Sequence, residues 1–153
     1  KNMHARLGWK LLLNEHVSIP VNAAKFNVIG VENYTANPRF HKYGDLSLAK
    51  KDMPEGNFNV LLSHDPSHWH AQVTNDHPDI NLTLSGHTHG FQFGVEIPGF
   101  FKWSPIQYMY PQWAGLYERM GQYLYVNRGL GYLGYPGRVG ILPEITLITL
   151  ETT

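Results

Sequence analysis

Residues 60–66 read Val-Leu-Leu-Ser-His-Asp-Pro, and residues 82–90 read Leu-Thr-Leu-Ser-Gly-His-Thr-His-Gly. Each stretch is a short, mainly apolar run that stops at a loop carrying histidine. The continuous apolar run within residues 58–63 is bounded by turn residues, which is typical of a strand buried on both faces. Residues 80–84 alternate apolar and polar side chains and also predict a strand. The sequence therefore predicts two strands that end in histidine-bearing loops.

The flanking sequence predicts further short strands and short helices. Expected strands cover residues 11–13, 17–19, 26–31 and 144–150, and residues 116–119 and 123–128 form a hairpin that turns near Met120 and Gly121. Expected helices cover residues 2–10, 45–51 capped by Asp45, and 67–73 capped by Ser67. Residues 91–111 and 129–140 are expected to be irregular. We therefore expect an α/β fold in which short helices flank a mixed β-sheet.

Composition limits the classes of function. The 153 residues are 42% hydrophobic and 16% charged, which fits one globular unit, residues 1–153, with no repeat or linker. Twelve basic and 12 acidic residues leave no cationic excess, so we do not expect a nucleic-acid partner. No apolar run approaches the roughly 20 residues of a membrane span, and we expect a soluble chain. The start, Lys1-Asn2-Met3, is interpreted as an internal cut.

The histidine loops predict a metal site. Because cysteine is absent, any metal must be held by nitrogen and oxygen ligands. Loops just past strand ends are well placed to present His64, His87 and His89, since the sheet fixes their base. In an extended His-x-His the two imidazoles point to opposite sides, so they could serve two adjacent metals. Gly86 and Gly90 would allow unusual backbone angles and close approach.

These motifs carry a family resemblance. Residues 61–66 and 84–90 resemble the two C-terminal metal motifs of the calcineurin-like metallophosphoesterases, and residues 125–131 and 143–147 are similar to the closing segments of a bacterial branch. Phe91 departs from that branch, which usually has a second glycine there. The resemblance implies the C-terminal half of a four-layer α/β/β/α sandwich, with His64 and His87 on one metal and His89 on the other.

The resemblance also implies what is missing. The family's upstream motifs, Asp-x-His, Gly-Asp-x-x-Asp and Gly-Asn-His, do not occur in this sequence. The N-terminal half of the domain is therefore expected as a missing partner, and no catalytic residue is assigned within residues 1–153. The intact protein is expected to hydrolyse phosphomonoesters, phosphodiesters or pyrophosphates with two divalent metals, manganese, iron or zinc. The chain alone is expected to bind at most one metal weakly and to be inactive.

Several side chains near the motifs have two possible roles. Asp65 could orient His64 or form a turn, and Arg128 and Arg138 could clamp a substrate phosphate or anchor their loops. The expected substrate is a phosphorylated small molecule or a lipid-linked phosphate. An aromatic group could touch such a lipid, or a membrane, or simply pack over the sheet; it comprises Phe100, Phe101, Trp103, Tyr108, Tyr110 and Trp113. The resemblance leaves the compartment open between membrane-associated and exported bacterial proteins.

Two other hypotheses of function stay open at this point. The chain could be a non-catalytic interaction module that forms a homodimer through exposed apolar surface. It could also be a mononuclear metal hydrolase in which Asp65, the only carboxylate adjacent to His64, activates water.

Overall fold

The structure is a computed structural model that describes residues 2–21 and 24–151. Its strands are, in chain order, β1 (Glu15–Val21), β2 (Ala24–Gly30), β3 (Phe58–Leu62), β4 (Leu82–Ser85), β5 (Val95–Ile97), β6 (Phe101–Trp103), β7 (Gly115–Arg119) and β8 (Gln122–Val126). In the described ranges six of them form one sheet in the order β1-β2-β3-β4-β8-β7, and β5 pairs with β6. The four central strands are parallel, and the edge strands β1 and β7 are antiparallel to their neighbours.

The helices are short. They are α1 (Asn2–Arg6), α2 (Leu46–Ala49), a π-helix (Trp69–Val73) that continues into α3 (Thr74–Asp76), and 3-10 turns at His89–Gln92 and Pro105–Tyr108. Asp45 caps α2 as predicted, because its Oδ1 accepts a hydrogen bond from the Leu48 N–H at 2.8 Å. Together with the mixed sheet, these elements confirm the predicted α/β class.

One face of the sheet carries the main core. The register places Ile29, Leu61 and Leu124 in one row across the strands, and all three are fully buried. Helical residues cover this row, among them Leu46, Trp69 and Val73. The four parallel strands are therefore fixed against helices on this side, as expected for apolar surface removed from water.

The opposite face is apolar but incompletely covered. Phe58 and Leu62 on β3, Tyr123 on β8 and Leu116 on β7 share this face by register and alternation, and each is exposed. We call it the open face. The expectation that residues 58–63 would be buried on both sides is therefore wrong at the two ends of β3.

Three predicted elements differ from the structure, and tertiary contacts decide the first two. Residues 11–13 are not a strand, since Leu12 packs over Gly30 at the end of β2. Residues 144–150 are not a strand either, and among the described residues this segment has no ladder partner. Its alternate side chains instead hydrogen-bond to β8 and the loop after it, while Ile145 and Leu147 are 86% and 92% exposed.

The third difference is inside the segment expected to be irregular. Residues 91–111 contain the β5–β6 hairpin, which turns through Pro98 and Gly99, with the Phe100 N–H donating to the Ile97 carbonyl at 3.0 Å. Proline followed by a glycine at φ +73° is the signature of a type II turn, so the signal was present in the sequence.

Ser67 is not the cap of the helix that follows β3. Its Oγ instead accepts a hydrogen bond from the Ala36 N–H at 2.9 Å. Asp65 Oδ1 accepts the Ser67 N–H at 2.8 Å in the turn that leads into the helix, and the N-cap residue His68 makes no side-chain capping bond within the described part of the chain.

Candidate metal centre

The sheet brings the two histidine loops to one edge. β3 and β4 are parallel neighbours, so their carboxyl ends lie side by side, and His64 and His87 each follow their strand by two residues. The backbone pairing continues past the strands: the Ser63 N–H donates to the Leu84 carbonyl at 3.0 Å, and the Gly86 N–H donates to the His64 carbonyl at 3.1 Å. These bonds fix the base of both loops.

His64 and His87 meet through their ring nitrogens. Nε2 of His64 lies 3.1 Å from Nδ1 of His87, and the rings are arranged edge to face with centroids 4.9 Å apart. Burial lowers the pKa of His64 below its ordinary value, the neighbouring His87 lowers this pKa further, and Asp65 partly opposes the change. A neutral His64 keeps a lone pair on one ring nitrogen, which is the form that binds a metal.

The other nitrogen of His87 is held by a residue that the sequence did not single out for this role. Its Nε2 lies 2.9 Å from the Tyr110 hydroxyl, which in turn lies 3.5 Å from Oδ2 of the buried Asp65. Burial and the adjacent Asp65 raise the pKa of Tyr110, so the phenol keeps its proton and can donate it to the carboxylate. Tyr110 can then accept the Nε2–H of His87, which leaves Nδ1 of His87 as the acceptor for the Nε2–H of His64 at 3.1 Å.

The backbone of the second loop is not extended. His87, His89 and Phe91 have φ of +71°, +51° and +55°, in the left-handed region that L-residues rarely adopt. The assumption of an extended His-x-His was therefore wrong. Gly90, at φ +58°, is required by packing as well, since a Cβ there would lie 2.8 Å from the Ile141 side chain, whereas a Cβ at Gly86 would meet the Asn127 carbonyl oxygen at an ordinary contact distance of 3.7 Å.

His89 lies apart from the His64–His87 pair. Its Nδ1 is buried and has no hydrogen-bond partner among the described residues, and a Cβ added at Gly131 would lie 3.8 Å from its Cε1. Within residues 2–21 and 24–151, no group of three or more histidine, aspartate or glutamate side chains converges where it could hold a metal ion. The structure thus brings together two of the three histidines expected to be ligands.

The two arginines are engaged by the protein. Arg128 pairs with Glu96 and with Glu144, the latter through Nε at 2.7 Å. Arg138 donates to the carbonyls of His89 and Arg128 and to two glycine carbonyls of the same loop, at 2.8–3.1 Å. These contacts favour the anchoring alternative for both side chains.

The donor geometry of the pair fits a metal ion. Metal–imidazole bonds are about 2.0–2.1 Å long, so two nitrogens on one ion lie about 2.9 Å apart at a right angle and about 3.4 Å apart at the tetrahedral angle. The observed 3.1 Å between Nε2 of His64 and Nδ1 of His87 falls between these values. The unpartnered Nδ1 of His89 is a further free donor, and the nearby carboxylate of Asp65 is turned towards Tyr110 and Ser67.

Comparison with known proteins identifies similar sequences. The chain is 42% identical over 96 residues to the uncharacterized metallophosphoesterase YkuE of Bacillus subtilis, which covers 63% of this chain and 32% of that protein. It is 31% identical over 138 residues to the uncharacterized metallophosphoesterase YkoQ of Bacillus subtilis, covering 88% of this chain and 47% of that protein. It is also 32% identical over 151 residues to a transmembrane protein with metallophosphoesterase domain from Bos taurus, covering 92% of this chain and 32% of that protein.

The chain therefore spans less than half the length of these curated relatives. No family model matches the sequence, and no solved structure matches it significantly. Across the ranges that the structure describes, no helix has the length and apolar character needed to cross a bilayer.

Proposed function

Because the chain belongs to the calcineurin-like metallophosphoesterase family, we propose that it contributes part of the metal centre of a two-metal phosphoester hydrolase. In this proposal His64 and His87 bind one metal, and His89 binds the other. Manganese, iron and zinc are the candidate metals, since each accepts mixed imidazole and carboxylate ligands. The substrate is a phosphomonoester, a phosphodiester or a pyrophosphate.

The observation that carries the proposal is the convergence of His64 and His87 from two parallel strand ends. Their facing nitrogens lie 3.1 Å apart, which is a separation suited to two ligands of one ion. When bound, divalent ions in such a centre would supply Lewis-acid neutralisation of the phosphoryl oxygens.

The chain's own part in this chemistry is to position the ligands. Asp65 accepts from Tyr110, and Tyr110 holds the Nε2 side of His87, so the imidazole is fixed with Nδ1 towards His64. A hydrogen bond to the nitrogen that does not face the metal sets the tautomer and orientation of a ligand histidine. No side chain of this chain is assigned here as the general acid or base.

In this proposal, further ligands of the two metals come from outside this chain. Two dications about 3.5–4 Å apart repel strongly, and carboxylates normally hold them together. Three neutral imidazoles provide no such charge. We therefore expect the 153-residue chain alone to bind at most one divalent ion, weakly, and to show no turnover.

Isothermal titration of the chain with manganese or zinc tests this expectation. We expect at most one weak site, which disappears in His64→Ala and in His87→Ala. His41→Ala is the matched control, because His41 is exposed and its ring packs edge-on against Tyr43, away from the His64–His87 pair. Two tight sites, or one site unaffected by both substitutions, would contradict the proposal.

A second candidate function is a non-catalytic interaction module. The open face favours it, since its apolar side chains at Phe58, Leu62, Leu116 and Tyr123 are exposed on a parallel sheet that is usually covered on both sides. This function predicts a homodimer that forms through the open face. Size-exclusion chromatography at high concentration should then show a dimer that Leu62→Glu dissociates, and a monomer at all concentrations would remove the candidate.

A further inference from the structure

A cavity beside His89 has apolar walls that project into solvent. It has a volume of about 380 Å³, and Phe91, Phe93, Leu133, Tyr135 and Val139 line it together with His89. All five apolar or aromatic residues are exposed. Clustered exposed apolar side chains are uncommon on soluble domains and generally mark a binding surface. A volume of this size falls within the range of small-molecule sites.

The walls of the cavity are fixed by a buried polar side chain. Gln92 is 5% exposed, and its Nε2 donates to the carbonyls of Tyr135 and Gly137 at 2.6 and 2.7 Å, while its Oε1 accepts the Leu133 N–H. In addition, the backbone N–H of Val139 donates a hydrogen bond to the Gln92 carbonyl at 2.8 Å. The backbone that carries the exposed apolar residues is therefore already fixed in the free protein. This reduces the conformational entropy that would otherwise be lost when a ligand binds.

The backbone of Phe91 is strained. Its φ is +55°, a conformation that is unfavourable for a bulky L-residue and free for glycine. The side chain is 56% exposed, so core burial does not compensate for this strain. Strained residues that pack little of the core are concentrated at ligand sites.

Resting on the proposed function, we infer that the cavity beside His89 binds the apolar substituent of the phosphate ester. His89 lines the cavity and also carries a buried Nδ1 without a partner. A phosphoryl group held by a metal on His89 would place its ester substituent against Phe91 and Phe93. The substrate class is accordingly a phosphate ester with an alkyl or acyl chain, rather than a sugar phosphate.

Protein-observed NMR of the metal-free chain tests the inference, with hexyl phosphate, hexan-1-ol and ethyl phosphate as probes. Each buried methylene increases affinity by up to about fourfold, so hexyl phosphate should bind at least about tenfold more tightly than ethyl phosphate. Amide shifts should be centred on residues 91–93 and 133–139, and hexan-1-ol should shift the same amides. Equal affinity for the two phosphates would overturn the inference and leave the metal proposal standing.

A matched pair of variants isolates the Phe91 side chain. Phe91→Gly should weaken hexyl phosphate at least about fivefold, whereas Met120→Gly should leave its affinity unchanged. Met120 is the appropriate control because it is also exposed at φ +55°, in the β7–β8 turn. Unchanged affinity in Phe91→Gly would overturn the inference.

Sedimentation with phosphatidylcholine vesicles distinguishes a ligand pocket from a membrane-contacting surface. If Phe91→Gly abolishes sedimentation with phosphatidylcholine vesicles while hexyl phosphate shows no dependence on chain length, the patch is a membrane surface and the inference is wrong. Failure of the metal proposal is seen separately, as metal binding that is insensitive to the His64, His87 and His89 substitutions while hexan-1-ol still binds.

Discussion

Acidification should destabilise the fold through His68, a fully buried imidazole in the helix that follows β3. Its Nδ1 lies 2.8 Å from the Ser63 hydroxyl, its Nε2 lies 2.8 Å from Oε1 of Gln72, and its ring stacks on Tyr34. Both nitrogens are therefore satisfied by a neutral ring that donates from Nε2 and accepts at Nδ1. Burial lowers the pKa of His68 to about 4 from the ordinary value of 6.5.

The size of the effect follows from linkage. The folded pKa is below the unfolded one, so the stabilisation is complete above pH 6.5 and is lost as the pH falls towards 4. At about 1.4 kcal/mol per pKa unit, the loss attributable to His68 is about 2 kcal/mol at pH 5 and about 3 kcal/mol at pH 4.

Urea unfolding at pH 7.5, 6 and 5 measures this contribution. His68→Gln removes the titrating group, so the difference in unfolding free energy between wild type and variant should shrink by about 2 kcal/mol from pH 7.5 to pH 5. His41→Gln, at an exposed position, should keep the wild-type slope. If the difference between wild type and His68→Gln does not change with pH, His68 titrates alike in the folded and unfolded states and does not cause the acid destabilisation.

Two further substitutions have definite expected outcomes. Gly90→Ala should lower the unfolding free energy by about 1–3 kcal/mol, since the residue has φ +58° and its Cβ would clash with Ile141 at 2.8 Å. Urea unfolding measures this, and Gly86→Ala is the control, because its Cβ would make an ordinary 3.7 Å contact with the Asn127 carbonyl oxygen. Tyr110→Phe should weaken divalent metal binding about tenfold or more by freeing the Nε2 side of His87. Isothermal titration checks the second outcome, and an unchanged affinity would show that Tyr110 does not orient the ligand.

The parts of the fold that local sequence controls were predictable. Asp45 caps its helix through a hydrogen bond three residues along the chain, and Met120 and Gly121 supply the left-handed conformations of the β7–β8 turn. The apolar runs before His64 and His87 are the carboxyl-terminal ends of two paired strands. These features depend on turn chemistry and hydrophobic pattern within a few residues.

The features that were missed depend on distant contacts. Residues 144–150 have the pattern of a strand, but side-chain bonds from Glu144 and Thr146 hold the segment, and no described strand pairs with it. Tyr110 reaches His87 from 23 residues further along the chain, out of a proline-rich segment whose path no local pattern indicates. The left-handed backbone of His87 and His89 is likewise uncommon for residues other than glycine, and no local pattern indicates it.

Side-chain NMR of ¹⁵N-histidine-labelled protein during zinc titration can show whether His64 and His87 are two ligands of one divalent ion. We expect Nε2 of His64 and Nδ1 of His87 to shift together at the same metal ratio, while Nε2 of His87 keeps the proton it donates to Tyr110. Zinc-dependent shifts confined to other histidines such as His41, with both nitrogens of the pair unchanged, would contradict it.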